Sequence, residues 1–214
     1  MKKTAIKGII IPNDYQAICD WLDLEATSPG KLQKDLIDAD GDDVQVEINS
    51  PGGFVAAGSE LYNLMHTYSG KLTIDIVGQA ASAASVAAMA RHNRIAPTAS
   101  IMIHNVSMDG VSGDYHEMDK ASNELLELTK AMANAYVLKT GQSRAKLSHL
   151  MDSETWMNAN KALELGFADG MIDTYCNEQQ PENVMFSRKA VNNVLINKLT
   201  AKYHTPAQEA AIPA

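Results

Sequence analysis

Leu72-Thr-Ile-Asp-Ile-Val-Gly-Gln-Ala-Ala-Ser82, continued by Ala83-Ala-Ser-Val-Ala-Ala-Met-Ala90, is the stretch that decides how this chain is read. Leu72–Val77 has the apolar, β-branched character of a buried strand. Ala81–Ala90 consists almost wholly of small residues and reads as a tightly packed helix. Gly78–Ser82 is then a strand-to-helix turn, with one hydroxyl, that of Ser82, at a helix N-terminus where N–H groups are free and the dipole end is positive. A serine in that place is either an ordinary N-cap or a nucleophile.

Working outward, strands and helices alternate. Ile6–Ile11 is an apolar strand, and 14–24 has helical spacing (Ile18, Trp21, Leu22) with Asn13 or Asp14 as its cap. Residues 29–40 form a second helix through Leu32, Leu36 and Ile37. Val44–Ile48 is a strand with apolar residues at alternate positions, Pro51-Gly-Gly53 a turn, and 56–68 a helix carrying Leu61, Leu64 and Met65. After the small-residue helix come strands at Arg94–Pro97 and Ser100–His104. Strands separated by helices of this length indicate an α/β fold built on βαβ steps. Residues 105–113 form a polar, glycine-containing loop. Asp114 and Glu117 have capping-box spacing, and a helix follows to Gly141 with Met118, Ala121, Leu125, Leu128, Met132 and Ala135 on one stripe. That stripe suits packing on the chain's own core or against a partner helix. A short helix over 159–165 ends at Gly166. From 177 onward the composition turns polar, then Ala/Pro-rich, so the organisation is one domain over 1–176 and a partly helical or disordered tail over 177–214.

The chain has 214 residues, 45% hydrophobic and 21% charged, enough for a sizeable core. A net charge of -8 and no Lys/Arg cluster speak against a nucleic-acid surface. The two cysteines, Cys19 and Cys176, make neither a disulfide framework nor a metal cluster and suit a reducing, cytoplasmic setting. The N-terminal Lys-Lys pair imitates a secretory signal, but Lys7 interrupts the apolar stretch and Pro12 ends it. No run is long enough for a membrane helix. Metal motifs and phosphate-binding glycine loops are absent from the sequence, so no metal and no cofactor are expected.

A serine nucleophile needs a base, oxyanion donors and a group that orients the base. Of the six histidines, His104 stands out because it ends the apolar strand Ile101–Ile103 beside a loop. Catalytic groups of parallel α/β sheets gather at the C-terminal ends of strands. Ser82 lies at that edge, and so does the Ser50-Pro-Gly-Gly53 segment. Ser85 is a competing hydroxyl, one turn inside the helix.

Ile48-Asn-Ser-Pro-Gly-Gly53, Gly78-Gln-Ala-Ala-Ser82 and Met102-Ile-His104 resemble, in order and spacing, three signature segments of the Clp protease proteolytic subunit, a self-compartmentalising serine peptidase with the ClpP/crotonase-like fold. Trp156-Met-Asn-Ala-Asn-Lys-Ala-Leu-Glu-Leu-Gly-Phe-Ala-Asp169 is similar to a fourth, and the resemblance spans about residues 5–175. It implies repeated β-β-α units with a protruding amphipathic handle helix, here 114–140. It also implies Ser82 as nucleophile, His104 as general base, and the backbone N–H groups of Gly53 and Ala83 as oxyanion hole. The chain departs from the family at the third triad member. An aspartate precedes the aromatic by two residues in the family, and here that position is Glu154, with Asp152 as the alternative acid. The implied assembly is a homo-oligomeric ring, a heptamer or double ring, acting on protein or peptide substrates. The short N-terminus and the tail look most like ClpP-related head maturation proteases of phages and prophages, which process capsid or scaffold proteins. The alternatives are a housekeeping Clp subunit working with an ATPase unfoldase, a crotonase-fold enzyme that is no protease, and a non-catalytic scaffold subunit.

Overall fold

The computed structural model describes residues 1–172, and the tail assigned to 177–214 lies outside the described residues. A parallel sheet organises the fold. Strands β1 (Lys2–Ile10), β3 (Val44–Gly53) and β4 (Leu72–Ala81) lie side by side, with β2 (Ala26–Thr27) on the outer side of β1. Their registers pair Ile6 with Ile48 and Ile48 with Ile76, which stacks apolar side chains across the sheet. Ile6, Val46, Ile48, Ile74 and Ile76 are wholly buried. Strands buried in this way read as near-continuous apolar runs, which is why Leu72–Val77 is recognisable from its residues alone.

Helices α1 (Asn13–Trp21), α2 (Pro29–Ala39) and α3 (Val55–Thr67) connect these strands. The cap expected at α1 is absent. Its N-cap position is Pro12, which has no side-chain donor or acceptor, and Asn13 Oδ1 instead accepts from Gly30 N at 2.7 Å, tying α1 to the start of α2. Helix α2 has both start signals, Ser28 at the N-cap and Pro29 in the first turn. Its Leu32 and Leu36, with Leu61 and Met65 of α3, go into the core. Each such side chain contributes about 1.5–3 kcal/mol by leaving water.

Two segments differ from their sequence reading, and both differences matter at the site. Pro51-Gly-Gly53 is the end of β3 rather than a turn, because Gly52 and Gly53 pair with Ile9 and Ile10 of β1. Likewise β4 does not stop at Val77. Gln79–Ala81 continue as strand because they find a new partner, β6 (Ser100–Ile103), after the first half of β4 has paired with β5 (Asn93–Ile95). Gly78 permits the continuation, since a Cβ there would lie 2.3 Å from Asn49 Oδ1, which accepts from Gln79 N. The small-residue helix α4 is therefore shorter than expected, Ala83–Ala88.

The chain then runs through α5 (Tyr115–Thr140), α6 (Arg144–Asp152), β7 (Thr155–Asn158), α7 (Ala159–Glu164) and β8 (Gly170–Met171). The capping box at Asp114 is present: Asp114 Oδ1 accepts from the N–H groups of His116 and Glu117, and Glu117 Oε2 accepts from Asp114 N. Gly141, with φ 67°, closes the helix. The α5 stripe divides: Ala135 is buried, Ala121, Leu125, Leu128 and Met132 are half-buried, and Met118 is 40% exposed. Beside the stripe, Ala133 and Tyr136 are buried and Leu126 is 51% exposed. Strand β7 runs antiparallel to β6, pairing Ile103 with Thr155, and β8 pairs with β5. The succession of single strand-helix steps from β1 to β4 differs from the repeated β-β-α units the resemblance implied; two consecutive strands, β5 and β6, occur before α5. Among the described residues no helix is long and apolar enough to cross a membrane.

Helix α4 approaches α3 at Gly58, where a Cβ would sit 2.7 Å from Ala83 Cβ and 3.0 Å from its carbonyl oxygen. Gly58→Val is expected to lower stability by about 1–3 kcal/mol or more through overpacking. Chemical denaturation measures this, and an unchanged midpoint would contradict the packing described.

Candidate active site

The C-terminal ends of β1, β3, β4 and β6 lie on one edge of the sheet, where open α/β sheets place ligands. Ser82 is the residue after β4 and His104 the residue after β6. Ladder pairing of Ala81 with Met102, completed by Ser82 N donating to Met102 O at 3.0 Å, draws the two strand ends together. The result is a 2.7 Å hydrogen bond between Ser82 Oγ and His104 Nε2.

Ser82 occupies the N-cap position of α4, yet its hydroxyl makes no capping bond. The ordinary N-cap reading of this serine thus gives way, since the side chain faces the imidazole instead. Its backbone, at φ 53° and ψ -126°, is in a region that L-residues with a Cβ rarely adopt. Strain of that kind is a feature of sites where a side chain must be presented rather than packed. Ser85 is fully buried, and its Oγ donates to Ser82 O at 2.6 Å and lies 2.7 Å from the Tyr136 hydroxyl. The competing hydroxyl is thereby engaged within the core.

Gly52 and Gly53 lie against the same turn. A Cβ on Gly52 would come within 2.7 Å of Ser82 Cβ and 2.9 Å of Ala83 N, and its φ of 95° is itself suited to glycine. Gly53 has φ 152°, and a Cβ there would strike Ile10 O at 2.1 Å. The Ser50 hydroxyl holds this segment by donating to Gly8 O at 2.6 Å and accepting from Gly52 N at 3.1 Å. Between these elements is a cleft of about 50 Å³ bordered by Gly53, Ser82, Ala83 and His104 on its polar side and by Val55, Val86 and Met132 on its apolar side.

Glu154 and Asp152 are both exposed near the histidine. The β6–β7 ladder ends at the Ile103–Thr155 pair, and His104 and Glu154 are the residues that flank that last pair. Glu154 has φ 44°, and its carboxylate accepts from Trp156 Nε1 at 3.3 Å. Asp152 accepts from Asn105 Nδ2 at 2.8 Å. Among the described residues neither acid is hydrogen-bonded to His104. The same residues include no cluster of His, Cys, Asp and Glu that could hold a metal ion. Tyr136 is the site neighbour that the sequence reading missed. It lies next to Ala135 of the α5 stripe, but its tie to Ser85 spans 51 positions and leaves no local signal.

A hydroxyl and an imidazole in this arrangement can form a nucleophile–base pair. Treatment with a fluorophosphonate is expected to add one label per chain, read by intact mass. Ser82→Ala is expected to abolish it and Ser85→Ala to retain it. Labelling that survives Ser82→Ala would overturn the assignment.

Comparison with known proteins identifies the family. A family model described as Clp protease matches residues 35–175. The ATP-dependent Clp protease proteolytic subunit 1 of Chlamydia muridarum is 35% identical over 156 residues, covering 71% of this chain and 76% of its own. The ATP-dependent Clp protease proteolytic subunit of Dehalococcoides mccartyi is 34% identical over 144 residues, covering 66% and 68%. The family match takes in β3, β4, β6 and β7, the strands that set out Ser82, His104 and the two acids, so this chain belongs to the Clp protease family and is a serine-type peptidase.

Proposed function

We propose that the chain is a serine endopeptidase that cuts protein substrates within a homo-oligomeric ring, with Ser82 as nucleophile and His104 as general base. The 2.7 Å Ser82–His104 contact at the ends of two paired strands carries this reading. His104 Nε2 takes the Ser82 proton as Oγ attacks the scissile carbonyl, then returns it to the leaving amine. The developing oxyanion is received by the N–H groups of Gly53 and Ala83, which border the cleft. Glu154 orients the imidazole through its other nitrogen, an arrangement supported by the Ile103–Thr155 pair, which His104 and Glu154 flank. This requires the Glu154 carboxylate to leave the Trp156 indole. Asp152 is the alternative acid. The apolar wall of Val55, Val86 and Met132 favours a small apolar side chain next to the cut bond.

Ring assembly is supported by the exposed front of α5, where Met118 and Leu126 are not covered by any element among the described residues. The substrates we infer are capsid or scaffold proteins, processed in the cytoplasm without an unfoldase. Support for this comes from the polar, then Ala/Pro-rich composition after 177, which resembles ClpP-related head maturation proteases more than housekeeping members. The second reading is a housekeeping subunit served by an ATPase, favoured by the names of the relatives in Chlamydia and Dehalococcoides.

Glu154→Ala is expected to lower peptide kcat/KM by about 100-fold or more, with Asp152→Ala within a few-fold of the native chain. The reverse order would hand the role to Asp152. Co-expression with a candidate capsid or scaffold protein is expected to yield processing by the native chain and none by Ser82→Ala. Cleavage that appears only when a host ATPase is present would favour the housekeeping reading.

A further inference from the structure

The unusual backbone of Ser82 needs something to hold it, and the structure supplies an arrangement with a chemical consequence. The Ser82 carbonyl oxygen accepts from Ser85 N at 2.9 Å, Val86 N at 3.4 Å and Ser85 Oγ at 2.6 Å. The Ser85 hydroxyl has a single proton, and a carbonyl can only accept, so that proton is committed to Ser82 O. The 2.7 Å contact between Ser85 Oγ and the Tyr136 hydroxyl must then be donated by Tyr136. Tyr136 is 2% exposed, and burial raises its phenol well above the usual range, opposed only by the Ser85 contact, so it stays a neutral donor. Tyr136–OH to Ser85–OH to Ser82 C=O is therefore a directional chain running from α5 through the core to the nucleophile's own peptide.

The peptide bond linking Ser82 to Ala83 is trans and planar, so its C=O and N–H point in opposite directions. Drawing the carbonyl inward toward Ser85 turns the Ala83 N–H outward, toward the cleft that Ser82, His104 and Gly53 share. We propose that Tyr136 and Ser85 are positioning residues for catalysis: their hydroxyl chain fixes the Ser82–Ala83 peptide plane and so aims the Ala83 N–H at the oxyanion. This rests on the reading of Ala83 as an oxyanion donor. Ser85 is fully buried, and Tyr136, which borders the cleft, is only 2% exposed, so both act through the Ser82–Ala83 peptide. Each acts through the orientation of a dipole that stabilises charge present in the tetrahedral intermediate and largely absent from the bound substrate.

The test is kinetic, on the full chain, with Tyr136→Phe, Ser85→Ala and the double variant. Tyr136→Phe keeps the ring that fills the core, and Ser85→Ala removes a single heavy atom. Each is expected to lower kcat on a short fluorogenic peptide about ten-fold with KM within two-fold of native, since a misaimed donor weakens the transition state rather than the ground state. Affinity for a peptide boronic acid, whose tetrahedral adduct places an oxygen in the oxyanion position, is expected to fall by a similar factor. The double variant is expected to be no worse than Ser85→Ala alone, because the two hydroxyls act in series. A purely structural role would lower the melting temperature and leave kcat and boronate affinity at native values, and that result overturns the proposal. So does a double variant whose losses multiply. If the native chain itself failed to bind the boronate, or Ser82→Ala kept its activity, the active-site reading beneath the proposal would fall instead.

Discussion

Everything at the site depends on the pairing of Gln79–Ala81 with Ser100–Met102. By continuing β4 past the point where β5 leaves it, this short ladder carries two chain segments to adjacent ends of one sheet. The residue that follows each is chemically active. Backbone hydrogen bonds in a buried sheet are costly to break without replacement, so the ladder is a stiff support for a contact that must hold to a few tenths of an ångström. The Ser82–His104 hydrogen bond is thus a consequence of sheet register, and the strained Ser82 backbone is tolerated because its N–H and carbonyl are both satisfied.

Close approach is the second requirement. Gly52 leaves room for the Ser82 turn and Gly53 for the Ile10 backbone, while Gly58 lets α3 settle on α4 at Ala83. The small-residue character of Ala83–Ala88 has the same origin, since all six residues are buried between neighbouring elements. A rigid floor of alanines beneath the nucleophile also limits how far the Ser82–Ala83 peptide can rotate, and the Ser85–Tyr136 pair adds direction to that constraint.

Much of this was legible in the residues. The apolar runs at Ile6–Ile11, Val44–Ile48 and Leu72–Val77 are buried strands, and the capping box at Asp114 and the glycine stop at Gly141 mark α5. The failures are local signals overruled by tertiary partners. Glycines and prolines at 51–53 and 78 normally end strands, but here β1 and β6 offer new ladder partners to segments that look like turns. Helix α6 buries only Leu147 and Met151, too few apolar positions to announce a helix, and β2 is two residues long. At the site, the order of Ser82 and His104 along the chain pointed to a shared sheet edge. That Glu154 comes near the end of β6, by contrast, emerges only from the antiparallel pairing of β7 with β6, and the Tyr136–Ser85 contact only from the packing of α5 on α4.

The most direct measurement of the central claim is a crystal structure of the chain soaked with a peptide boronic acid. The account predicts boron bonded to Ser82 Oγ, with one boronate oxygen within hydrogen-bonding distance of both Gly53 N and Ala83 N, and His104 Nε2 beside a second oxygen. An adduct on another residue, or a boronate on Ser82 with no oxygen facing those two N–H groups, would contradict it.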